Sequence, residues 1–390
     1  MTEDTSTNKR NPLSVLRRLL SIFHLPNRTI LSNPLMGVLR DVIQAEGPIT
    51  VEQYMQIVLH HPQHGYYSHG DPLGVDGDFG TSPEISQMFG EMIGVWCLEV
   101  WQQMGEPDPF ILLELGPGRG TLLKDLFRAT QKIQPFHKAL RLHLLECNAT
   151  LRLIQLAKLA DHAPTYIADL AALPPLPVLA ISNEFFDTFP LRQFMRTDSG
   201  WRERLVTMKS GKLVFMDGVE IEKPCKNPFS EREAIAPKGW TCETSPQSLS
   251  MVGQLAAHMA AHGGAGLIVD YGYASPSGKN TLFAVRDHKP FDILASPGEA
   301  DVTAEVDFEA FRYAAESQGA RVVGPTSQGD FLRAMGIELR AALLQHLAPE
   351  EHTENIHKDF LRLTCRTRAG TWFKVLGLMA KDMGGMPGFL

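Results

Sequence analysis

The stretch ELGPGRGTLLKDL, residues 114–126, carries three glycines at alternating positions: Gly116, Gly118 and Gly120. It follows the apolar run FILLEL and precedes a helical pattern, so its turn can bring backbone N–H groups close to a ligand. Glu114 at the strand end suits a ligand with a cationic amino acid moiety. Thr121 replaces the last glycine of the G-x-G-x-x-G spacing found in dinucleotide enzymes, which argues against a nicotinamide dehydrogenase.

The pattern E-x-G-x-G-x-G after a first strand resembles motif I of class I S-adenosylmethionine (SAM) methyltransferases, and it implies SAM as cofactor. Glu146 ends the next strand pattern, where a carboxylate can bond both ribose hydroxyls. Its alternative role is a helix cap, for which Asn148 competes. Asp169 ends the third strand pattern, where such methyltransferases contact adenine.

A second polar group follows another apolar run, in SNEFFDTFPLRQF, residues 182–194. Asn183, Glu184 and Asp187 stand there among phenylalanines, and carboxylates are rarely buried without a partner. Strand four lies beside strand one across the cofactor crevice, so its carboxyl end points at the methyl group to be transferred. We therefore predict that Asn183, Glu184 and Asp187 are catalytic residues on a turn. Asp270, which ends strand five, either lines the substrate side or makes a structural hydrogen bond.

The elements that position these residues alternate between strands and helices. This pattern predicts an α/β fold with a mostly parallel sheet. The resemblance to class I methyltransferases implies that the fold is Rossmann-like, with a seven-stranded sheet and helices on both faces. The predicted strands are 110–115, 140–147, 164–170, 176–183, 265–272, one that begins near 321, and an antiparallel last strand within 371–380. An insertion at about 190–250 has the alternation of antiparallel strands, with turns at 198–200 and 210–211.

The region 31–105 is predicted to be a helical and loop region that covers the cofactor cleft of a methyltransferase domain, residues 106–390. Two helices are expected in 34–60, the first capped by Asn33 or Ser32 and the second by Thr50 in a capping box with Gln53, and one long helix is expected in 84–104. Between them, Thr81 and Ser82 can contact the cofactor, and Asp78 offers a further polar group. An ordinary helix start at Ser82 is the alternative.

Composition excludes several classes of function. The net charge of −7 gives no general reason to expect nucleic-acid binding. The five cysteines are dispersed without metal-ligand spacing, so we predict no metal site and a reducing compartment. No run of 18 apolar residues is present, so no membrane span is expected. Residues 1–30 contain a basic amphipathic stretch, 13–25, for which a frayed extension is favoured over an anchor or targeting segment.

Ten segments together resemble the MidA family, from about residue 34 to 380. They are HPQHGYY, GDFGTSPEISQMFGEMIGVW, LLELGPGRGTLLKDL, LLECN, SNEFFDTFPLRQF, ETSP, VDYGY, PGEADVTAEVDF, TSQGDFL and FKVL. This family includes the mitochondrial methyltransferase needed for assembly of respiratory complex I. One departure is Glu305, which stands where many relatives have histidine within DLTAHVDF and so argues against a catalytic role at this position.

The resemblance implies symmetric dimethylation of an arginine on a protein such as a complex I core subunit. It places the enzyme in the bacterial cytoplasm or the mitochondrial matrix, as a soluble protein that can form a homo-oligomer. A guanidinium stays protonated up to a pH of about 12, so carboxylates must hold and polarise it. Glu184 and Asp187 fit this role, much as the paired glutamates of other arginine methyltransferases do.

Two other functions stay open on the sequence. The protein could be a SAM-binding assembly factor with little turnover. Such a protein would depend on a surface that binds its partner, and it would not need both Glu184 and Asp187. A methyltransferase with a small-molecule acceptor would not need the insertion at about 190–250, which is the best candidate for binding a protein substrate.

Overall fold

The computed structural model describes residues 33–68, 81–224, 231–286, 288–366 and 369–389. The predicted N-terminal extension at 1–30 and the candidate Asp78 lie outside these residues. Within them, no helix combines the length and the apolar character that crossing a membrane requires.

The strands are β1 (Ile49–Thr50), β2 (Phe110–Leu115), β3 (Leu140–Leu145), β4 (Thr165–Ile167), β5 (Val178–Asn183), β6 (Arg192–Arg196), β7 (Trp201–Lys209), β8 (Lys212–Ile221), β9 (Thr241–Thr244), β10 (Gly264–Tyr273), β11 (Phe283–Arg286), β12 (Lys289–Phe291), β13 (Asp301–Thr303), β14 (Val306–Asp307), β15 (Arg321–Ser327) and β16 (Phe373–Met379). The helices are α1 (Pro34–Glu46), α2 (Val51–His60), α3 (Ser82–Ile85), α4 (Gln87–Gln103), α5 (Thr121–Thr130), α6 (Gln134–Ala139), α7 (Ala149–Lys158), α8 (Glu231–Ala234), α9 (Pro246–His262), α10 (Phe308–Ser317), α11 (Gln328–Ala334), α12 (Ile337–Leu347), α13 (Glu350–Thr364) and α14 (Ala369–Trp372).

The central sheet has the strand order β15-β16-β10-β5-β2-β3-β4. Neighbouring strands run parallel except around β16, which is antiparallel to both β10 and β15. The mostly parallel sheet predicted from the sequence is therefore confirmed, and an eighth strand, the two-residue β14, pairs parallel to β10 outside this order. The chain leaves β2 toward β3 on one side, whereas β5 pairs with β2 on the other. A crevice opens at such a reversal, at the carboxyl ends of β2 and β5.

Alternate residues of β2 face opposite hydrophobic layers, as the period of a strand requires. Leu112 packs in the layer that contains Phe89 and Trp96 of α4, whereas Leu113 packs in the layer that contains Val252 of α9. Every residue of β2 and β5 is buried, which is typical of a parallel strand covered by helices on both faces.

The predicted insertion forms a second, antiparallel sheet of order β1-β7-β6-β9, with β8 paired to β7. The turn predicted at 210–211 joins β7 to β8, where Ser210 and Gly211 both have positive φ. The short strand β1 joins this sheet through Thr50 and Ile49, so the region before residue 105 contributes to it. This pairing was not predicted, because two residues carry no periodic signal.

Local signals at helix ends were accurate in two cases and misleading in one. Asn33 caps α1, and Thr50 with Gln53 forms the predicted capping box of α2. The single helix predicted at 84–104 is wrong, because the chain is extended at Ser86, whose hydroxyl accepts a hydrogen bond from Met88 N and starts α4 anew. Strand 164–170 is also shorter than predicted, and helices α12 and α13 were not predicted at all.

Candidate active site

The glycine turn lies between β2 and α5 and takes a conformation that favours glycine. Gly116, Gly118 and Gly120 have φ values of 64°, 53° and 70°. A Cβ atom at residue 116 would lie 2.6 Å from Cδ2 of Phe185, so the turn and the exit of β5 approach each other closely. Gly116 and Gly118 line a large cleft.

Glu114 lies just before this turn and is 3% exposed. Burial, and then the nearby Glu146 carboxylate, raise the pKa of Glu114 to about 8. Its Oε2 atom is buried and has no hydrogen-bond partner among the described residues. A buried carboxyl oxygen without a partner is costly unless a ligand satisfies it. Glu114 itself is not among the residues that line the cleft, so its contact with the cationic amino group of SAM stays a prediction.

Glu146 lines the cleft and is held in place from two sides. Asn148 N donates to its Oε1 atom at 2.8 Å, and Gln155 Nε2 donates to its Oε2 atom at 3.2 Å. The cap of α7 is Asn148, whose Oδ1 atom accepts hydrogen bonds from Thr150 N and Leu151 N. The helix-cap role left open for Glu146 therefore belongs to Asn148, and the contact of Glu146 with the ribose stays a prediction.

Three other candidate cofactor contacts differ in how they face the cleft. Thr81 lines it. Asp169 is exposed just after β4, and its neighbour Ala168 lines the cleft. Ser82 is 2% exposed, and its hydroxyl donates to Gln328 Oε1 at 3.1 Å, so this hydroxyl is already engaged within the protein.

The turn after β5 is held by Asp270, which is fully buried and lies on β10, three residues before that strand ends at Tyr273. Its Oδ2 atom accepts hydrogen bonds from three successive backbone N–H groups: Phe185 at 3.2 Å, Phe186 at 3.0 Å and Asp187 at 3.3 Å. Of the two roles left open for Asp270, the hydrogen bonds show the structural one. This carboxylate fixes the backbone on which Glu184 and Asp187 stand.

Glu184 has a φ of 50°, which is uncommon for a residue other than glycine and marks local strain. Its Oε1 atom accepts hydrogen bonds from Ser82 N and from Asn183 Nδ2, both at 2.9 Å. Within the part of the chain that the structure describes, its Oε2 atom has no hydrogen-bond partner and is available to a ligand. Burial raises the pKa of Glu184 to about 7 against these two hydrogen bonds.

Asp187 is 8% exposed, and its Oδ2 atom accepts a hydrogen bond from Thr303 Oγ1 at 3.0 Å. Its Oδ1 atom is buried, and no described residue bonds to it. Burial raises the pKa of Asp187 to about 6, and hydrogen bonds from Thr303 and Tyr271 oppose the rise. Thr303 was not singled out from the sequence, because it is 116 residues away along the chain.

Glu184 and Asp187 both line the cleft, and the phenylalanines around them have separate places. Phe185 packs against Gly116 and forms part of the cleft wall, whereas Phe186 turns into the core and contacts Phe311 with ring centroids 5.0 Å apart. The polar residues of this stretch thus form the floor of a site rather than a solvated loop.

The cleft has a volume of about 1280 Å³ and continues past the two acids. Beyond them it is lined by four aromatic side chains and two charged ones: Tyr271, Phe283, Trp372, Phe373, Glu305 and Lys374. Small-molecule sites usually measure about 300–1,000 Å³. The cleft therefore has room for SAM at the glycine turn and for part of a second molecule at the aromatic end.

Proteins of similar sequence and structure support a SAM site in this cleft. Residues 92–326, more than half of the chain, match a family model of S-adenosyl-L-methionine-dependent methyltransferases. Two similar curated proteins are named "Protein arginine methyltransferase NDUFAF7, mitochondrial". The Xenopus tropicalis protein is 36% identical over 80% of this chain and 78% of its own, and the human protein is 36% identical over 80% and 76%.

The chain belongs to the MidA family of SAM-dependent methyltransferases. A crystal structure of a COG1565 superfamily member from Burkholderia thailandensis, bound to S-adenosyl-homocysteine, has a TM-score of 0.78 to it at 26% identity. The match covers 93% of this chain and 96% of the other. A native crystal structure of a protein of that superfamily from the same organism has a TM-score of 0.75. SAM is thus the cofactor of this MidA-family chain.

The raised pKa of Glu114 predicts that SAM affinity depends on pH. Below a pH of about 8 the carboxyl group of the ligand-free protein is protonated, whereas a bound cation favours the carboxylate. Binding therefore releases a proton, and the Kd for SAM should fall as pH rises from about 6.5 to about 7.5, a range in which the α-amino group of SAM is still mostly charged.

Calorimetry in two buffers of different ionisation enthalpy measures this proton release directly. Glu114→Gln should bind SAM more weakly and without the pH dependence. An affinity that stays constant with pH, with no proton released in the wild type, contradicts the assignment.

Proposed function

We propose that this MidA-family protein is a protein-arginine N-methyltransferase in which Glu184 and Asp187 hold the acceptor guanidinium. The observation that carries the proposal is a pair of carboxylates in the cleft at the exit of β5: Glu184 is half-buried and Asp187 is buried, and each has one oxygen to which no described residue bonds. The curated relatives named as arginine methyltransferases support the same acceptor.

The pKa values of the two acids suit a cationic acceptor. Both are raised toward neutrality by burial, to about 7 for Glu184 and about 6 for Asp187. A guanidinium that enters the cleft favours their charged forms, and its planar fork can donate to Glu184 Oε2 and to Asp187 Oδ1. The two acids then restrain the orientation of the cation.

Bound SAM supplies an electrophilic methyl group on a sulfonium centre. The acceptor nitrogen must lose a proton as it gains the methyl group, and the charged carboxylate of Glu184 beside it can accept that proton. Glu184 is therefore the proposed base, and Asp187 is the proposed orienting partner. Asn183 contributes by donating to Glu184 rather than by contacting the acceptor.

The far end of the cleft supports a macromolecular acceptor. Trp372 is 66% exposed and Phe283 is 37% exposed, although both line the cleft. Exposed aromatic side chains next to a catalytic site are typical of surfaces that bind a polypeptide. We place the residues that flank the target arginine here, between Glu305 and Lys374.

The finer parts of the proposal follow from the family resemblance. The acceptor is a complex I core subunit or a similar protein, modified by symmetric dimethylation in the mitochondrial matrix or in the bacterial cytoplasm. Region 31–105 acts as a cover of the cofactor cleft, which is supported by the presence of Tyr67, Ser68 and Thr81 in the cleft lining.

Methyl transfer to arginine can be tested with extracts of cells that lack the gene. Purified protein and SAM labelled in the methyl group should transfer label to a small number of proteins in such an extract, and acid hydrolysis should release labelled methylarginines. Extract from cells that retain the gene serves as the control, because its sites are already methylated. Label that appears in no arginine derivative overturns the proposal.

A further inference from the structure

A hydrogen-bonded bridge reaches Glu184 from the C-terminal part of the chain. Ser82 N donates to Glu184 Oε1 at 2.9 Å, and the Ser82 hydroxyl donates to Gln328 Oε1 at 3.1 Å. Gln328 Nε2 in turn donates to the carbonyl oxygen of Leu363 at 3.1 Å. Ser82 and Gln328, here called the serine–glutamine bridge, are both buried.

The residue after Gln328 explains how α11 comes close enough to α13 to make this bridge. A Cβ atom at Gly329 would lie 2.6 Å from the carbonyl oxygen of Thr364 and 3.0 Å from that of Gly370. Only glycine allows the first turn of α11 to approach these carbonyl groups so closely. The segment TSQGDFL, which the proposed chemistry does not use, thus serves to seat Gln328 under Ser82.

Glu184 needs a distant support, because its own backbone does not favour its position. Its φ of 50° is strained, and its other hydrogen bond comes from the neighbouring Asn183, which moves with the same turn. Ser82 N is therefore its hydrogen-bond donor from outside the β5 turn. The engaged hydroxyl of Ser82 fixes that residue at the first position of α3, a helix of only four residues.

We propose that Ser82 and Gln328 are positioning residues that hold the carboxylate of Glu184 at the orientation in which it meets the acceptor. This inference rests on the proposed role of Glu184 in methyl transfer. It gives a function to two segments, TSPEIS and TSQGDFL, that are far apart in the sequence and meet only in the folded chain.

The bridge also affects the ionisation of Glu184. The acidic groups that face it are Asp187, on the same turn, and Asp270, on β10, and both disfavour a further negative charge. The hydrogen bond from Ser82 N opposes them and favours the carboxylate. Loss of the bridge should therefore raise the pKa of Glu184, and a general loss of stability should not.

Ser82→Ala and Gln328→Leu each remove one link of the bridge and leave every cleft-lining side chain in place. We expect kcat to fall by about 10- to 100-fold, as for other residues that orient a catalytic group, and the Kd for SAM to stay unchanged. The acid limb of the pH–rate profile should move to higher pH. Because both residues act through one bridge, the double variant should be no slower than the worse single variant.

The matched control is Ser327→Ala, at the residue before Gln328. Its hydroxyl caps α11 by accepting a hydrogen bond from Asp330 N at 3.1 Å. This variant weakens α11 without touching the bridge, so it should lower the Tm and leave the acid limb in place. An equal shift of the acid limb in Ser327→Ala overturns the inference.

Infrared titration of the carboxyl groups gives a readout that does not depend on the acceptor. A band absent from Glu184→Gln identifies Glu184, and its midpoint should lie at higher pH in Gln328→Leu than in the wild type. An unchanged midpoint overturns the inference, whatever the acceptor is. Absence of arginine methylation by the wild type would instead overturn the proposed function, and the titration would still decide the role of the bridge.

Discussion

Glu184→Gln is expected to abolish methyl transfer and, at the same time, to stabilise the ligand-free protein above a pH of about 7. The glutamine keeps the size of the side chain and the oxygen that accepts from Ser82 N and Asn183 Nδ2. It removes the negative charge that holds the guanidinium and the base that accepts its proton. A loss of about 100- to 10,000-fold in kcat/KM follows.

The expected gain in stability has a definite sign. Burial raises the pKa of Glu184 from 4.5 to about 7, so the folded state binds a proton more tightly than the unfolded state does. The stability that the protonated Glu184 contributes is therefore fully present below its pKa in the unfolded chain, and it is lost as pH rises through its pKa in the folded protein. Glutamine cannot ionise, so the variant avoids this loss, which is on the order of 1–3 kcal/mol at a pH of about 8.

Thermal unfolding at about pH 5 and about pH 8 measures the stability, and labelled methyl transfer measures the activity. Asp187→Asn should show the same combination, since burial also raises the pKa of Asp187. Glu99→Gln, an exposed position on α4, is the control and should change neither quantity. Retention of more than about a tenth of the activity in Glu184→Gln would exclude it as the base.

Local signals allowed the location of the glycine turn and of Glu146 to be predicted from the sequence. Glu114 lies in the last two residues of β2, whereas Gly116 and Glu146 directly follow β2 and β3, so the strand pattern alone places all three at one edge of the sheet. The acceptor side is different, because its supports come from far along the chain. Asp270 lies 83 to 85 residues along the chain from the residues whose backbone N–H groups donate hydrogen bonds to it. Gln328 lies 246 residues from Ser82.

No periodicity links residues at such separations, so their partners could not be predicted. Asp270 was recognised as a candidate because it ends a strand, yet its role as the support of the β5 turn depends on the pairing of β10 with β5. The break at Ser86 was missed for a related reason. Helix-forming residues continue on both sides of it, and only the packing of α3 between Glu184 and Gln328 interrupts them.

Gly116→Ala is expected to weaken SAM binding by at least about 100-fold. The new Cβ atom would lie 2.6 Å from Cδ2 of Phe185, and a φ of 64° is strained for alanine. Phe185 cannot retreat with its backbone, because Asp270 holds its N–H group. Its ring must therefore move within the cleft, where SAM binds. Calorimetry with SAM and with S-adenosyl-homocysteine measures the loss.

Gly211→Ala separates the clash from the strain. Gly211 has a φ of 77° in the turn between β7 and β8, and a Cβ atom there has no neighbour within 4 Å. The variant bears a similar backbone strain of about 1–2 kcal/mol and should lower the Tm without changing the affinity for SAM. If Gly211→Ala weakened SAM binding as much as Gly116→Ala, strain alone would explain the effect and the close approach of Phe185 would not matter.

A second-site change tests the contact itself. Phe185→Ala removes the ring that the new methyl group would meet, so the double variant Gly116→Ala/Phe185→Ala should bind SAM more tightly than Gly116→Ala alone. Phe185→Ala by itself measures what the cleft loses with the ring, and the four affinities form a cycle. If Phe185→Ala weakens SAM binding less in the presence of Gly116→Ala than in the wild type, the two positions affect SAM binding through the contact between residue 116 and the Phe185 ring. Additive losses would show that the two segments bind it independently.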